Sequence, residues 1–407
     1  MGIELNNGQK QLVNDATIWW HHKTYQTFEI SGPPGCGKTW IVNYIIDLFG
    51  IDRSRIAPMA YTGSAAINMR TKGMMNASTI FSWLYDFEEV PIYGDDGEPV
   101  RDNIFNKIKT RLRFIPKKCL PGIDLIIVDE AGMVPEDMRE VIDSMGIPVI
   151  AMGDIDQLPP ITGKSGYLNN PETVHFLTEI MRQAEGNTII AFSQLLIKGQ
   201  DIPLGSYKNV DVIYDDQLTD EMIANSRVVL VGKNDTRDQF INHIRGDMLH
   251  FHSDFPQHGE RIVCRKNNWN IAAGGINLTN GLLGSVISYP DMSVYDRKSQ
   301  TFKLDFKPDL LNSNEYFQDI DVDYRYLNGN KAVRDAIMST RFTKGNKFEY
   351  GYAITTHMAQ GAEFDNGIYV EEYLNKNINR NLNYVGITRF RFHCIYVKQR
   401  PRRRYFY

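Results

Sequence analysis

Phe28-Glu29-Ile30 leads into Gly32-Pro33-Pro34-Gly35-Cys36-Gly37-Lys38-Thr39, after which Ile41, Val42, Ile45, Ile46 and Phe49 recur at helical spacing. The loop fits G-x-x-x-x-G-K-[ST] at every fixed position. It follows an extended run and opens a helix, the setting in which this pattern cradles phosphate. Its glycines let backbone N–H groups close around a triphosphate, and the helix N-terminus adds favourable partial charge. Lys38 is placed to neutralise the β- and γ-phosphates, and the Thr39 hydroxyl to ligate Mg²⁺. Gly32, Pro33, Pro34, Gly35, Cys36 and Gly37 contribute backbone, so the Cys36 thiol is incidental. The bland alternative, a chance glycine turn, does not account for the strand before the loop or the helix after it.

Working outward, Leu125-Ile126-Ile127-Val128 runs straight into Asp129-Glu130. An apolar strand ending in two acids delivers both carboxylates to the sheet edge where ligands bind in open α/β folds. Asp129 is the candidate Mg²⁺ ligand, and Glu130 the group that orients and deprotonates an attacking water. Many strands end in solvated acids; the phosphate loop upstream is what gives this pair meaning. Gly153-Asp154-Ile155-Asp156-Gln157-Leu158-Pro159-Pro160 follows another short apolar run. Gln157 can hydrogen-bond a γ-phosphate or its attacking water without adding charge, on a loop fixed by prolines.

Short β-branched runs at Ile56–Tyr61, Leu125–Val128 and Pro148–Met152 alternate with helical patterns, which suggests parallel βαβ units. A second set begins at Val228–Val231 and resumes at Ile368–Val370 and Cys394–Val397. Two α/β lobes are the simplest arrangement. Two stretches break the pattern. Between Tyr85 and Asn106, Gly94-Asp95-Asp96-Gly97 separates two short extended segments, the signature of a projecting hairpin, with Glu88 and Glu89 adding to its acidity. From Gly259 to about Asn346 the text turns Gly-, Asn- and aromatic-rich, with turn dipeptides at Asn280-Gly281 and Asn328-Gly329. That predicts a small, mainly β insertion in the second lobe.

The 407 residues suffice for two to four structural units. With 42% apolar and 23% charged residues, the composition excludes disorder and collagen-like repeats. No apolar run approaches the roughly 18 residues of a membrane span. The N-terminus lacks a leader's basic and apolar regions, which leads us to expect a cytosolic chain. Four scattered cysteines (Cys36, Cys119, Cys264, Cys394) argue against a disulfide framework or zinc ribbon. A net charge of −4 does not exclude a nucleic-acid partner, since phosphate contacts need a local basic track. The last ten residues hold Lys398, Arg400, Arg402, Arg403 and Arg404 and no acid; they fit either such a track or a solvated tail.

In order along nearly the whole chain, these motifs resemble superfamily 1 helicases of the 1B branch, which includes RecD and the phage helicase Dda. Leu5-Asn6-Asn7-Gly8-Gln9 resembles the adenine-reading Q motif. Ala60-Tyr61-Thr62-Gly63-Ser64-Ala65-Ala66 resembles motif Ia, and Ala77-Ser78-Thr79-Ile80-Phe81-Ser82 motif Ib. Asp129 to Gly132 and Gly153 to Pro160 are similar to motifs II and III. Leu177 to Gln183 resembles the segment with an ATP-contacting arginine, Arg182. Val229 to Asn234 resembles motif IV, Gly351 to Gly361 motif V, and Tyr384-Val385-Gly386-Ile387-Thr388-Arg389 motif VI.

The resemblance implies an α/β fold of two RecA-like P-loop NTPase lobes, with a β-hairpin pin in the first and an SH3-like β insertion in the second. The matching divisions are 1–84 and 107–178 for the first lobe (1A), 85–106 for the pin (1B), 179–258 and 347–407 for the second lobe (2A), and 259–346 for the insertion (2B). It implies a 5′-to-3′ ATP-dependent DNA helicase with Lys38, Thr39, Asp129, Glu130, Gln157, Arg182 and Arg389 as catalytic residues. Gln9, the phosphate loop, Gly361 and Glu363 would contact the nucleotide. Thr62, Thr79, Asn234, Thr356 and His357 would contact a single strand, Phe81 would stack on a base, and Tyr93 would cap the fork. For Phe81 a place in the core is the alternative.

ATP and Mg²⁺ are the implied cofactors. Single-stranded and forked DNA are the implied partners, with a single-strand-binding or replication protein as a further one. The implied state is a monomer in bacterial or phage-infected cytoplasm. Because the chain starts at the Q motif, a stand-alone Dda-like motor is expected rather than a nuclease-complex subunit. Departures from the family pattern are Ser64 and Met358, where many relatives carry cations, and Gly386 for a more usual Ala. Each lost phosphate contact is expected to reduce the salt dependence of binding by about one log–log unit. An RNA helicase, or a DNA-stimulated ATPase that remodels without unwinding, remains an alternative; a nucleotide binder without turnover would leave Glu130, Gln157 and the arginines idle.

Overall fold

The computed structural model describes residues 5–94, 96–101, 108, 110–160, 163–179, 186–274, 276–288, 295–310, 314–339 and 344–400. They form two compact units: residues 1–83, 119–248 and 352–407 make one, and 84–118 with 249–351 the other. The first unit holds two six-stranded sheets, one for each expected lobe.

In the first lobe, α1 (Asn7–His22) begins with a capping box in which the Asn6 and Gln9 side chains each accept from the other's backbone N–H. Leu12, Ala16 and Trp19 form the buried face of this helix. There follow β1 (Thr27–Ser31), α2 (Lys38–Phe49), β2 (Ile56–Ala60), α3 (Gly63–Thr71), β3 (Ser78–Thr79) and α4 (Ile80–Leu84). A hairpin of β4 (Tyr85–Pro91) and β5 (Thr110–Pro116) intervenes. The lobe resumes with β6 (Leu125–Asp129), α5 (Glu136–Ser144), β7 (Val149–Gly153) and β8 (Val174–Phe176). Its strand order is β3-β2-β6-β7-β1-β8, with all pairs parallel. Phe28, Ile30, Ile41, Ile45, Ile127 and Ile150 are among the side chains that fill the core around this sheet.

This order decides where chemistry can occur. β6, β7 and β1 are neighbours and parallel, so Asp129, Gly153 and Ser31 end at one edge, where the phosphate loop also starts. The ends are tied together: Gly32 N–H donates to the Gly153 carbonyl at 3.1 Å, and Ile155 N–H to Ser31 Oγ at 3.1 Å.

The second lobe begins with α6 (Thr188–Ile197), β9 (Gly205–Ser206), β10 (Val210–Tyr214), α7 (Asp220–Ala224), β11 (Val229–Val231) and α8 (Asn234–Asn242). The chain then enters the second unit, with β12 (Arg261–Cys264), β13 (Asn268–Ala273), β14 (Ile276–Leu278), β15 (Leu283–Val286), β16 (Thr301–Pro308), β17 (Phe317–Asp323), α9 (Tyr324–Asn328), α10 (Lys331–Ser339) and β18 (Phe348–Tyr350). It returns through β19 (Ala353–Thr355), β20 (Phe364–Val370), α11 (Lys376–Thr388) and β21 (Phe390–Lys398). The lobe's order is β19-β11-β20-β21-β10-β9, parallel except for the short edge strand β9.

In the second unit, β17-β16-β15-β12-β18 form an antiparallel sheet and β13-β14 a ribbon, as expected of a mainly β insertion. Phe302, Phe306, Phe317 and Phe348 are buried there. The hairpin ladder runs from Tyr85 opposite Pro116 to Pro91 opposite Thr110. Its return strand thus lies beyond the Asn106 limit expected from sequence, while Tyr93 bridges Pro99 around the 94–97 turn. Along it Glu88, one of the acids noted in the sequence, pairs with Arg113 at 2.5 Å, and Asp86 with Lys117 at 3.7 Å. Among the described residues no helix is long and apolar enough to cross a membrane.

Candidate functional site

The phosphate loop folds as its glycines require. Gly35 and Gly37 have φ of 81° and 84°, a region open to glycine, and Gly37 caps α2. A Cβ on Gly32 would come within 2.6 Å of the Leu177 carbonyl oxygen. Lys38 and Thr39, in the first turn of α2, are half-buried. The Lys38 ammonium donates to the Pro33 carbonyl at 3.1 Å and to Gly32 O, so the charge is held directly over the loop. Cys36 is buried, and burial raises its thiol pKa against the opposing pull of Lys38.

Beside the loop, Asp129 closes β6 and accepts from Glu130 N–H at 2.9 Å. Burial first, and then the Glu130 charge, push the Asp129 carboxyl up to about 6. Two carboxylates crowded against a lysine-bearing phosphate loop are suited to a divalent cation. Among the described residues no three His, Cys, Asp or Glu side chains converge on a metal-binding point. Thr39 and Asp129 fit Mg²⁺, which takes few protein ligands and completes its shell with phosphate oxygens and water. Glu130 holds a left-handed backbone, φ 51°, rare outside glycine.

The second lobe supplies a cation. Arg389 follows α11, is only 4% exposed, and brings Nη1 to 4.0 Å from Glu130 Oε1. Its fork is steadied by the carbonyls of Val385 and Ala362 at 3.3 and 3.4 Å. Gln157 is buried on the loop after β7, and among the described residues its Oε1 has no hydrogen-bond partner. Arg182 lies outside the described residues.

Other expected nucleotide contacts have structural partners. Gln9 is buried with its side-chain oxygen in the α1 capping box. Gly361, φ 76°, packs so closely on α3 that a Cβ would sit 2.8 Å from Ala65 Cβ, and its carbonyl accepts from Asn68 at 3.3 Å. Glu363 pairs with Lys72 of the first lobe at 3.1 Å. Burial would raise its carboxyl pKa, but Lys72, Arg389 and Arg391 together outweigh that and lower it. Lys72 and Asn68 were not foreseen, since neither lies in a motif that resembles the family's.

Of the expected strand contacts, Phe81 is 36% exposed on α4, which excludes the core alternative, and Tyr93 is 60% exposed at the hairpin turn. Asn234 is exposed at the start of α8. Thr62 caps α3 by accepting from Ala65 N–H, while Thr79, expected at the strand, is buried with its Oγ1 3.0 Å from Ser82 Oγ. Thr356 is fully buried, with its hydroxyl donating to the Val231 carbonyl at 3.1 Å, a place that takes its side chain off the surface. His357 is half-buried and its pKa is lowered by burial, so near neutral pH it is an uncharged ring. In the basic tail, Lys398 pairs with Asp201 and Arg400 with Asp216; Arg402, Arg403 and Arg404 lie outside the described residues.

Two parallel-sheet lobes, one carrying the phosphate loop and paired acids and the other an arginine directed at those acids, define a P-loop NTPase with two RecA-like lobes. The chain belongs to the AAA domain family, which it matches over residues 4–217. Its fold is that of solved Pif1 helicase structures. A structure of two coordinating Pif1 helicases, concerned with DNA unwinding at forked double-stranded DNA, aligns with 97% of this chain and 92% of its own, at TM-score 0.54 and 18% identity. Bacteroides Pif1 bound to single-stranded DNA aligns over the same shares, at TM-score 0.51 and 17% identity. The ATP-dependent DNA helicase Pif1 of Psychrobacter sp. (strain PRwf-1) is 27% identical over 161 residues, 36% of this chain and 22% of that protein. The curated relatives that match are longer proteins, of which the chain spans 32% and 22%.

Proposed function

We propose that the protein is an ATP-dependent DNA helicase that moves 5′ to 3′ on single-stranded DNA and separates duplex ahead of it. The observation that carries this reading is the approach of Arg389 to Glu130 between two lobes of one compact unit. A hydrolytic site divided between lobes ties nucleotide state to lobe closure, and alternating closure moves a strand. In this reading the phosphate loop and Lys38 hold ATP. Thr39 and Asp129 would hold Mg²⁺, which would supply positive charge against that of the phosphates. Glu130 takes a proton from the attacking water, Gln157 orients that water, and Arg389, with Arg182, stabilises charge on the transferred phosphoryl group.

Single-stranded and forked DNA are the proposed partners, in line with the Pif1 structures described with them. Phe81 stacks on a base, while Thr62, Asn234 and His357 line the strand. The hairpin, with Tyr93 at its turn, serves as the pin, and the β sheet of the second unit serves as an SH3-like guide. The four-part division into 1A, 1B, 2A and 2B, a monomeric state, a cytoplasmic setting and a single-strand-binding or replication partner complete the proposal.

The test is strand displacement on matched duplexes with a 5′ or a 3′ single-stranded tail, each run beside Lys38→Ala. Unwinding from the 5′ tail alone, lost in the variant, is the expected result. Unwinding from the 3′ tail would overturn the direction. DNA-stimulated hydrolysis without displacement would make the protein a translocase, and preference for RNA tails would change its substrate.

A further inference from the structure

The loop Asp154–Leu158 is rooted in the first lobe through β7, yet side chains of the second lobe grip it. Tyr384 Oη donates to Asp154 Oδ2 at 2.5 Å, and both groups are buried. Asn381 Nδ2 donates to the Asp156 carbonyl at 2.8 Å and reaches that of Gln157 at 3.4 Å. Gln360 Nε2 donates to the Leu158 carbonyl at 3.2 Å, and Leu158 packs among Leu382, Tyr384 and Val385. By contrast, Ile155 N–H to Ser31 Oγ is the polar tie from this loop to β1.

The spacing on α11 accounts for the grip. Asn381, Tyr384, Val385 and Thr388 fall at i, i+3, i+4 and i+7, on one helical face, and Arg389 follows at the helix end. Asn381 and Tyr384 thus meet the Gln157 loop, while the next residue after the helix meets Glu130. Gln157 itself is buried, and its Oε1 has no hydrogen-bond partner among the described residues. A buried acceptor left so is costly unless a ligand completes it.

We infer that Asn381 and Tyr384 are positioning residues that lock the Gln157 loop to α11, so that Gln157 and Arg389 reach the reacting phosphate together or not at all. This rests on the helicase reading above and deepens it: hydrolysis is gated by one helix through two connections. The side chains of Asn381 and Tyr384 are engaged with the loop. Their effect passes through the carbonyls and carboxylate of the loop, and misplacing a positioned group by about 1 Å can cost on the order of 10²-fold in rate.

The test is a double-mutant cycle on the full chain. Asn381→Ala and Tyr384→Phe are each made in the wild type and in Gln157→Ala, and ATP turnover is measured at saturating single-stranded DNA. ADP affinity and thermal unfolding are followed alongside. Each single substitution is expected to lower kcat by roughly tenfold with KM for ATP within about twofold. In the Gln157→Ala background the same substitutions should cost little, because the side chain they position is gone. Asn381→Gln, which keeps an amide donor, should recover part of the rate. Equal losses in both backgrounds, or unchanged kcat in the singles, would overturn the inference while leaving the helicase reading intact. Wild-type protein without DNA-stimulated turnover would overturn both. Tyr384→Phe removes one hydroxyl and retains the ring that packs on Leu158, so it reports on the lock even where Asn381→Ala proves unstable.

Discussion

Arg389 Nη1 lies 4.0 Å from Glu130 Oε1, although the two residues are separated by most of the chain and belong to different lobes. That distance is too long for a hydrogen bond and short enough for a strong Coulomb interaction in a buried setting. The guanidinium is held by carbonyls on its own lobe, so it is prepositioned to face charge that develops beside Glu130. Arg389→Ala is expected to lower DNA-stimulated turnover by about 10³-fold or more while changing KM for ATP far less. Steady-state kinetics at saturating DNA check this. Turnover within a few-fold of wild type would remove Arg389 from the site.

Phe81→Ala should weaken single-strand binding without unfolding the lobe. The ring is exposed, while Ile80 and Leu84 of the same short helix are buried and hold it in place. Loss of one stacking platform is worth about 1–3 kcal/mol, or roughly 5- to 150-fold in affinity. Fluorescence anisotropy with a labelled oligonucleotide reads the change, and the melting temperature should move little. Unchanged affinity would show that the strand runs elsewhere.

The second unit has its own buried ion pair, Lys347 Nζ to Asp323 Oδ2 at 2.8 Å, with both side chains almost wholly enclosed. Asp323 also caps α9 by accepting from Arg325 and Tyr326 N–H, and Lys347 donates to the Gly345 carbonyl at 3.0 Å. Burial lowers the Lys347 pKa, against the contrary effect of Asp323. Lys347→Met removes the enclosed cation and leaves the buried carboxylate only the longer contact to the Arg325 guanidinium at 3.6 Å, a change that costs up to about 3–5 kcal/mol. Hydrogen exchange should report faster exchange at the amides of β12 and β18, with the first unit's sheets unaffected. Equal protection in the variant would show that the capping N–H groups and Arg325 suffice to stabilise Asp323.

How much of this could be read from the chain depends on the range of the interaction. The phosphate loop and the Asp129-Glu130 strand end are local patterns whose chemistry follows from adjacent residues, and both stand where the sequence puts them. Val210–Tyr214 carries a weak strand signal, since its alternation spans only Val210-Asp211-Val212 before Ile213 breaks it, yet parallel pairing with β21 secures it. The return strand of the hairpin, Thr110–Pro116, falls in the stretch that the sequence division gave to the first lobe, and only the pairing of Glu88 with Arg113 shows where it belongs. Lys72, Asn381 and Tyr384 acquire roles only through partners roughly 200 to 300 positions away, for which the sequence offers no spacing signal. Thr356 illustrates the converse: a motif position suggested a surface contact, while β11 claims its hydroxyl from behind.

A last prediction concerns pH. His243 bridges two carboxylates, with Nε2 at 2.7 Å from Asp220 Oδ1 and Nδ1 at 2.9 Å from Asp247 Oδ2. The hydrogen bonds to Asp220 and then Asp247 raise its pKa above the ordinary 6.5, against a smaller opposing effect of burial. A folded-state pKa above the unfolded one means that the native protein binds the proton more tightly. The stabilisation is therefore fully present below about 6.5 and is lost as pH rises through the higher folded value. His243→Gln retains hydrogen-bonding capacity and cannot carry the charge. The wild type should therefore melt above the variant at pH 6, and the gap should shrink steadily toward pH 8.5. Because the ring is exposed, solvent screening keeps the effect small, and added salt should reduce it further. A gap that stays constant across this range would mean that the bridge acts through geometry alone, with no contribution from the imidazolium charge.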